Sequence, residues 1–579
     1  LLSKRIIQET LPLLLLTLTG FLAMGYHPGF EDDGIYLTAI KADLNPALYP
    51  HDSDFFRLQM QASAFDGGMA HFVRWTGIPV AWAALLWQFA ALYFILWACR
   101  RIAAQIFEQA RAQWAAVAMV AAMFTLPVAG TALNIADQHL HPRNLATALI
   151  LIAVAWMLEG KRWLAVPALL AAFLLHPIMA ALGMSFCVFL GLALLEPVPF
   201  RMRAAEGSMA AAAPLGWLFA PTNSSWRLAL ESKSYYSLWR WEWYEWLGAL
   251  APLFLFWLLW RVAQKGAGSY SAGAKTPLDS IALLPGMNPR PTAWTSFFAG
   301  AKARVDFGLL SARLKSCPDT EPSLRLPSLN LPSLRLPPLK LPSLKLDDGG
   351  NSAACQERLA RFGLAVFAYG VFQQIVAMAL LTPESLVRLT PLQPMRYLQL
   401  VYVFMALVAG GLLGRFVLKR QAWRWAVYLL VFNGGMFLVQ WELIDDGAHL
   451  EMPWRSTANP WLQAFDWIRL NTPNDAYFAL DPHYLAAPGE GFHGFRALAE
   501  RSALSDDIKD TSVVTEVPSL APVWHEQQLA LAGWPHFQLG DFERLKAQFG
   551  VDWVIVNAQQ AAGLECRWHG GSLSICEVP

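Results

Sequence analysis

Apolar runs close to the length of a bilayer recur along most of this chain. They start near Leu11, Ile78, Trp114, Leu145, Trp163, Ile178, Ala204, Leu247, Phe362, Leu398 and Trp423. A helix needs about 20 predominantly apolar residues to cross the hydrocarbon core, and fewer within a bundle. Backbone polar groups there must bond inside their own segment, so such runs are predicted to be helices. Only 15% of the 579 residues are charged and 55% are apolar, whereas soluble domains carry about 25% charge. The expectation is a multi-span membrane protein. A formal net charge of +1 gives no concentrated basic patch of the kind nucleic acid requires.

Basic residues favour the cytoplasmic side of a span. Lys4 and Arg5 place the N-terminus inside, and alternation then puts Arg100/Arg101, Lys161/Arg162, Arg201/Arg203, Arg261/Lys265 and Lys419/Arg420 inside too. The first apolar run has no small-residue cleavage site and continues into "YHPGFEDD", so it reads as a retained helix. "HP" at His176–Pro177 divides two short runs, read as two helices meeting at the outer face. A single long kinked helix would invert the sidedness of everything after it.

The organisation divides at residues 1–265, 266–361, 362–443 and 444–579. From Leu324 the second segment reads LRLPS, LNLPS, LRLPP, LKLPS, LKLDD. Proline at that density blocks helix and central strand, which predicts a disordered or polyproline-like cytoplasmic insertion. The tail reads as a small α/β domain outside the membrane. "DWVIVN" is a strand, "LGDFERLKAQFG" a capped helix and "ECRWHGGSLSICEV" a hairpin. Cys566 and Cys576 flank its Gly-Gly turn and form a candidate disulfide in an oxidising compartment. Cys99 and Cys187 read as packing residues.

With this sidedness, ionisable residues gather on the outer face, where they are costly unless paired or used. Glu31, Asp32 and Asp33 follow the first run. "DQHLHPRN" carries Asp137, His139, His141 and Arg143, and Arg388 and Arg396 precede a later run. "GIYLTAIKADLNP" predicts an amphipathic helix on the membrane surface, and Asp32 or Asp33 would suit its N-cap. Asp137, His139 and His141 form a candidate site for a divalent ion, Mg or Mn. Arg143 and Arg396 sit at predicted helix starts. Either would hold a phosphate or snorkel to headgroups. "WRLALESKSYYSLWRWEWYEW" reads as an interfacial aromatic belt or as a wall for lipid or sugar.

The acids carry a resemblance. "DDGIY" (Asp32–Tyr36), placed after the first span, resembles the Asp-Glu-x-x-Tyr motif of protein O-mannosyltransferases and lipid A aminoarabinose transferases. These are integral-membrane glycosyltransferases of the GT-C superfamily. Here the second acid is Asp rather than Glu. "DQH" (Asp137–His139) lies where oligosaccharyltransferase catalytic subunits carry Asp-x-Asp, with His139 in place of the second Asp. No WWD-type motif is present, so protein N-glycosylation is not implied. "WIRLNTPNDAYFALDP", "FRALAERSALSDD" and "DFERLKAQFGVDWVIV" are similar to the outer domain ending many bacterial GT-C-like proteins.

The resemblance implies an all-α polytopic domain of about eleven helices with a small extracytoplasmic α/β domain, in a plasma membrane, the bacterial inner membrane. It implies a polyprenyl-phosphate-linked sugar as donor, membrane lipids as surroundings and an acceptor on the outer face. Asp32 would be the general base, supported by Asp33 and Glu31, with Tyr36 and His176 lining the substrate. Adjacent acids raise each other's proton affinity, and Arg396 or Arg143 would stabilise the leaving phosphate. A structural scaffold stays open as a further reading, and two functional classes compete. One is a lipid-phosphate transferase or polysaccharide ligase using His139, His141 and Arg143. The other is a transporter or flippase, against which stands the lack of an internal repeat.

Overall fold

The computed structural model describes residues 2–195, 222–271, 350–444, 447–455 and 457–579. The run near Ala204 and the Leu/Pro repeat lie outside the described residues. Every other predicted run is helical. In chain order the first elements are α1 (Leu2–Met24), α2 (Asp33–Leu44), α3 (Asp54–Met60), α4 (Phe65–Thr76), α5 (Val80–Ile106) and α6 (Ala110–Ala122). A short hairpin, β1 (Pro127–Val128) and β2 (Leu133–Asn134), precedes α7 (Pro142–Leu158), α8 (Arg162–Leu175) and α9 (Pro177–Leu194). Next come α10 (Ser224–Glu231), α11 (Trp243–Ser271), α12 (Gly350–Leu381), α13 (Tyr397–Leu413), α14 (Ala422–Leu429) and α15 (Gly435–Leu443).

Among the described residues, six segments are long and apolar enough to cross a membrane: Val80–Ile106, Pro177–Leu194, Trp243–Val262, Ala354–Leu381, Pro394–Leu418 and Ala422–Leu443. Glu9–Met24, Pro142–Leu158 and Arg162–Leu175 are apolar but shorter. The Trp114 run is shorter again. Its helix, α6, is Ala-rich and buried from Ala115 to Ala122, so it packs inside the bundle rather than facing lipid along its length. Gly410 and Gly414 of the α13 segment, four apart, let α6 come close. A Cβ on Gly410 would stand 2.6 Å from the Ala115 carbonyl oxygen, and one on Gly414 2.6 Å from the Ala115 Cβ. Small residues at this spacing are a common helix-contact device in membranes.

His176 separates α8 from α9 as two helices, as expected. Its backbone leaves the helical region (φ −153°, ψ 90°), and its Nδ1 accepts the Met179 N–H at 3.4 Å. Arg101 and Lys161, from two of the loops assigned to one side, meet at one end of the bundle. Arg101 pairs with Glu159 at 2.6 and 2.5 Å, Lys161 reaches the same carboxylate at 3.0 Å, and Arg358 bonds Gln105 at 2.7 Å. The acidic and histidine loops lie at the other end.

At that other end sits the C-terminal region. It comprises α16 (Pro460–Asn471), β3 (Tyr477–Ala479), α17 (Phe495–Ala499), β4 (Ser502–Ala503), α18 (Lys509–Glu516), α19 (Ala521–Leu531), α20 (Leu539–Phe549), β5 (Trp553–Asn557), β6 (Glu565–Gly570) and β7 (Leu573–Glu577). The strands form one mixed sheet, order β4-β3-β5-β7-β6. β3 runs parallel to β4 and β5, and β7 antiparallel to β5 and β6. Alternate residues serve opposite faces. Phe478, Ile555 and Ile575 join Trp461, Phe465 and Ile468 of α16. Tyr477, Val554 and Val556 join Phe542 and Leu545 of α20 on the other side. α20 opens with a capping box between Gln538 and Asp541 and ends at Gly550 with φ +81°. Cys566 and Cys576 face each other across β6 and β7 and are joined in a disulfide.

The surface-helix expectation for the segment after the acids is overturned. In α2, Ile35, Tyr36, Leu37, Thr38, Ala39, Ile40 and Ala42 are all buried. The helix lies between α4 and α17, and Lys41 pairs with Glu500 at 2.7 Å. One apolar cluster combines Ile35, Ile40, Phe55 and Phe65 with Trp226 and with Val513, Val514 and Trp524 of α18 and α19. What sequence alone assigned to membrane contact is covered by the C-terminal region. The Trp/Tyr stretch also divides. Trp239 and Trp243 are exposed, whereas Trp226 donates to the Thr515 carbonyl at 3.1 Å and Tyr236 bonds the Thr515 hydroxyl at 2.8 Å.

Candidate active site

The loop after α1 is held tightly before it delivers its acids. The His27 N–H donates to the Gln138 carbonyl at 3.0 Å, and the Glu31 N–H to Phe492 at 2.9 Å. Glu31 has φ +49°, a left-handed conformation that costs energy in a non-glycine residue and persists only where the surroundings enforce it. Asp32 stands at the N-cap position of α2, yet its side chain makes no cap hydrogen bond. Capping therefore does not account for it. Its Oδ1 lies 3.0 Å from Nζ of Lys509, the first residue of α18, and its Oδ2 lies 3.6 Å from Nε2 of His141. Its side chain keeps 31% of its exposure, so it can meet a substrate.

Asp33 points elsewhere. It is buried, and its Oδ2 accepts the Gly29 N–H at 2.7 Å, which fixes the turn. The expected mutual raising of proton affinity is not shared equally. Burial pushes Asp33 up, against His139, the Gly29 N–H and Lys41, and Asp32 adds to the rise. Burial also acts to raise Asp32, but Lys509, then His141 and Arg143, outweigh it and hold its carboxyl well below the usual range. Asp32 is ionised at neutral pH.

The second loop supplies the wall behind Asp32. Gln88 donates to the Asp137 carbonyl at 2.7 Å, and Asn144 accepts the Asp137 N–H at 3.0 Å. Arg143, second residue of α7, grips the Asp137 carboxylate with Nε at 3.1 Å and Nη2 at 2.5 Å. That fork keeps Asp137 well below its ordinary pKa against the effect of burial. Nη1 of Arg143 has no partner. Nδ1 of His141 accepts the Arg143 N–H at 2.9 Å and so caps α7. In the neutral ring the proton then sits on Nε2, directed at Asp32. Burial, then Arg143, lowers His141 to about 4, so that neutral form holds at pH 7.

Nδ1 of His141 lies 4.0 Å from Oδ2 of Asp137, but Asp137, His139 and His141 do not form a set of three converging ligand atoms: Asp137 also holds Arg143, and Nδ1 of His141 caps α7. Neither ring nitrogen of His139 has a partner, although the residue is buried. His176 stacks on His141 with ring centroids 6.2 Å apart, and burial followed by Arg396 lowers it well below the histidine norm. The Tyr36 ring meets His141 edge-on at 4.6 Å. Nε of Arg396 has no partner, and its charge reaches Glu516, His176 and Tyr36.

The sequence reading missed what α18 adds. Lys509 opens it and Glu516 ends it. Glu516 accepts from Gln59 at 3.0 Å and from Gln393 at 3.2 Å, and burial raises its pKa. One signal was available: a lysine in the first turn of a helix opposes the helix dipole and invites a search for its partner. The arrangement is an ionised, accessible carboxylate ringed by cations and neutral histidines. It can accept a proton from a hydroxyl and can draw in an anionic group. No protein-family model matches the chain, and no curated protein matches it.

Proposed function

We propose that this is a membrane glycosyltransferase of GT-C type that moves a sugar from a polyprenyl phosphate to an acceptor hydroxyl, with Asp32 as general base. One observation carries the reading: the ionised Asp32 carboxylate stands between Lys509 and His141 and within the field of Arg143, while Arg143 and Arg396, whose charge reaches the neighbouring Tyr36 and Glu516, each keep an unpartnered guanidinium N–H. The acceptor oxygen attacks the anomeric carbon and its proton passes to Asp32, while the bond to the lipid phosphate breaks. The phosphate leaves with its electron pair into the field of Lys509, Arg143 and Arg396. A donor phosphate that draws Lys509 from Asp32 also removes the largest influence lowering that carboxylate, so donor binding strengthens the base. The Cys566–Cys576 disulfide supports an oxidising, extracytoplasmic location for this end, consistent with a bacterial inner membrane.

A second reading rests on His139, whose unpartnered ring nitrogens suit a phosphoryl-transferring or ligating enzyme. His141 suits that role less well, since its Nδ1 caps α7 and its Nε2 faces the Asp32 carboxylate at 3.6 Å. Wild type, Asp32→Asn and His139→Ala would be compared in liposomes with a panel of polyprenyl-phosphate sugars. Donor consumption that Asp32→Asn abolishes and His139→Ala retains supports glycosyl transfer. The reverse pattern supports the second reading.

A further inference from the structure

Three residues distant in sequence meet where the loop after α1 joins the C-terminal region. His27 follows α1, Glu451 follows α15, and His493 precedes α17. Oε1 of Glu451 lies 3.3 Å from Nδ1 of His27, and its Oε2 lies 2.9 Å from Nε2 of His493. Their ligand atoms all fall within 4.8 Å of one another. Both histidines are fully buried, and the Glu451 side chain is 12% exposed.

The backbone around them is braced. The Tyr26 N–H donates to His449 at 3.1 Å, and the Glu451 N–H donates to Tyr26 at 2.9 Å. Phe30 bridges to His493. Nδ1 of His493 lies 3.0 Å from the Glu490 carbonyl oxygen, and the His493 N–H meets both oxygens of the Glu490 carboxylate at 3.0 and 3.1 Å. A carbonyl only accepts, so Nδ1 carries the proton and Nε2 turns its lone pair on Glu451. Such an outer partner fixes the tautomer of many metal-ligating histidines. A lone pair facing a carboxylate needs a cation between them, either a second proton or a metal ion. Nδ1 of His27 faces Glu451, and its Nε2 has no hydrogen-bond partner in its buried setting.

We infer that His27, Glu451 and His493 bind a divalent transition-metal ion of the zinc class, which clamps the Asp32-bearing loop to the C-terminal region. Two imidazoles and one carboxylate suit zinc and its neighbours, whereas magnesium and calcium favour all-oxygen sites. The site is separate from the Asp137–His141 loop where the sequence suggested Mg or Mn, and it does not depend on the glycosyltransferase reading.

The test uses the full chain in nanodiscs, stripped with EDTA. Zn²⁺ is titrated against a chromophoric chelator, Co²⁺ binding is followed by visible absorption, and melting is recorded with and without Zn²⁺. The expected result is about one equivalent of Zn²⁺ per chain, bound with stabilisation, since metal binding adds to folding free energy. His27→Asn and His493→Gln should each weaken binding by more than the roughly 10–100-fold typical of losing an outer partner. The exposed His536→Asn should not. Should the histidine variants fail to fold, zinc-edge X-ray absorption of wild type decides, with two imidazoles expected. No Zn²⁺ or Co²⁺ binding by wild type, or binding without imidazole ligation, or variants that bind as wild type does, would overturn the inference. The group would then be a protonated hydrogen-bond network.

Discussion

Lys509 meets Asp32 at 3.0 Å although 477 residues separate them. The pair joins α18 of the C-terminal region to the start of α2, and so makes one site from two parts of the chain. Lys509→Met should lower transfer about 100-fold, the scale of losing one electrostatic stabiliser. Lys509→Arg should restore much of it. In an Asp32→Asn background the same change should cost little more, because the two residues act together. Transfer rates of the five proteins, with melting temperatures as a control for folding, check this.

Gly34 and Gly494 touch where α2 meets α17. A Cβ on Gly494 would stand 2.6 Å from the Gly34 Cα, and backbone cannot move aside as a flexible side chain does. Gly494 has φ −69°, so alanine suits its conformation and the effect is steric. Gly494→Ala should destabilise by about 1–3 kcal/mol and loosen the C-terminal region. Thermal unfolding and limited proteolysis between α15 and α16 would report both.

His141 sets a pH dependence. It titrates at about 4 in the fold, lowered by burial and then by Arg143, against about 6.5 for a free histidine. As pH falls, the unfolded chain takes up this proton first. The stability involved is complete above pH ~6.5 and is lost as pH falls through ~4, on the order of 3 kcal/mol in all. Asn at the same position can still cap α7. His141→Asn should therefore flatten the fall in melting temperature between pH 7 and pH 4, and an unchanged slope would refute the assignment.

The Cys566–Cys576 disulfide closes a short loop, ten residues apart in sequence, and a loop of that size contributes at most about 3 kcal/mol by the chain-entropy argument. Cys566→Ser with Cys576→Ser should lower the stability of the C-terminal sheet by up to that amount. The site lies in other elements, so transfer at low temperature should change little.

How much of this was legible follows from sequence distance. The apolar runs, the break at His176 and the β6–β7 hairpin rest on local periodicity and turn chemistry, and all are visible in sequence. Asp32, His141 and Arg143 were found because loop polarity between apolar runs is also local. The burial of α2 was not readable, because its cover is α17, more than 450 residues on. Lys509, Glu516 and the His27–Glu451–His493 group were missed for the same reason. Each is an ordinary charged or histidine residue until the fold brings its partner to it. One cause of apolarity was not readable. α6 is apolar because it is buried among helices, and composition does not distinguish protein from lipid as the apolar surround.

The most direct test of the central claim is single-turnover sugar transfer from a polyprenyl-phosphate donor by wild type and Asp32→Asn in liposomes, with donor binding measured in parallel. The account predicts that Asp32→Asn binds donor, stays folded and transfers at least about 100-fold more slowly, within the range of a lost general base. Equal transfer rates in two folded, donor-binding proteins would contradict it.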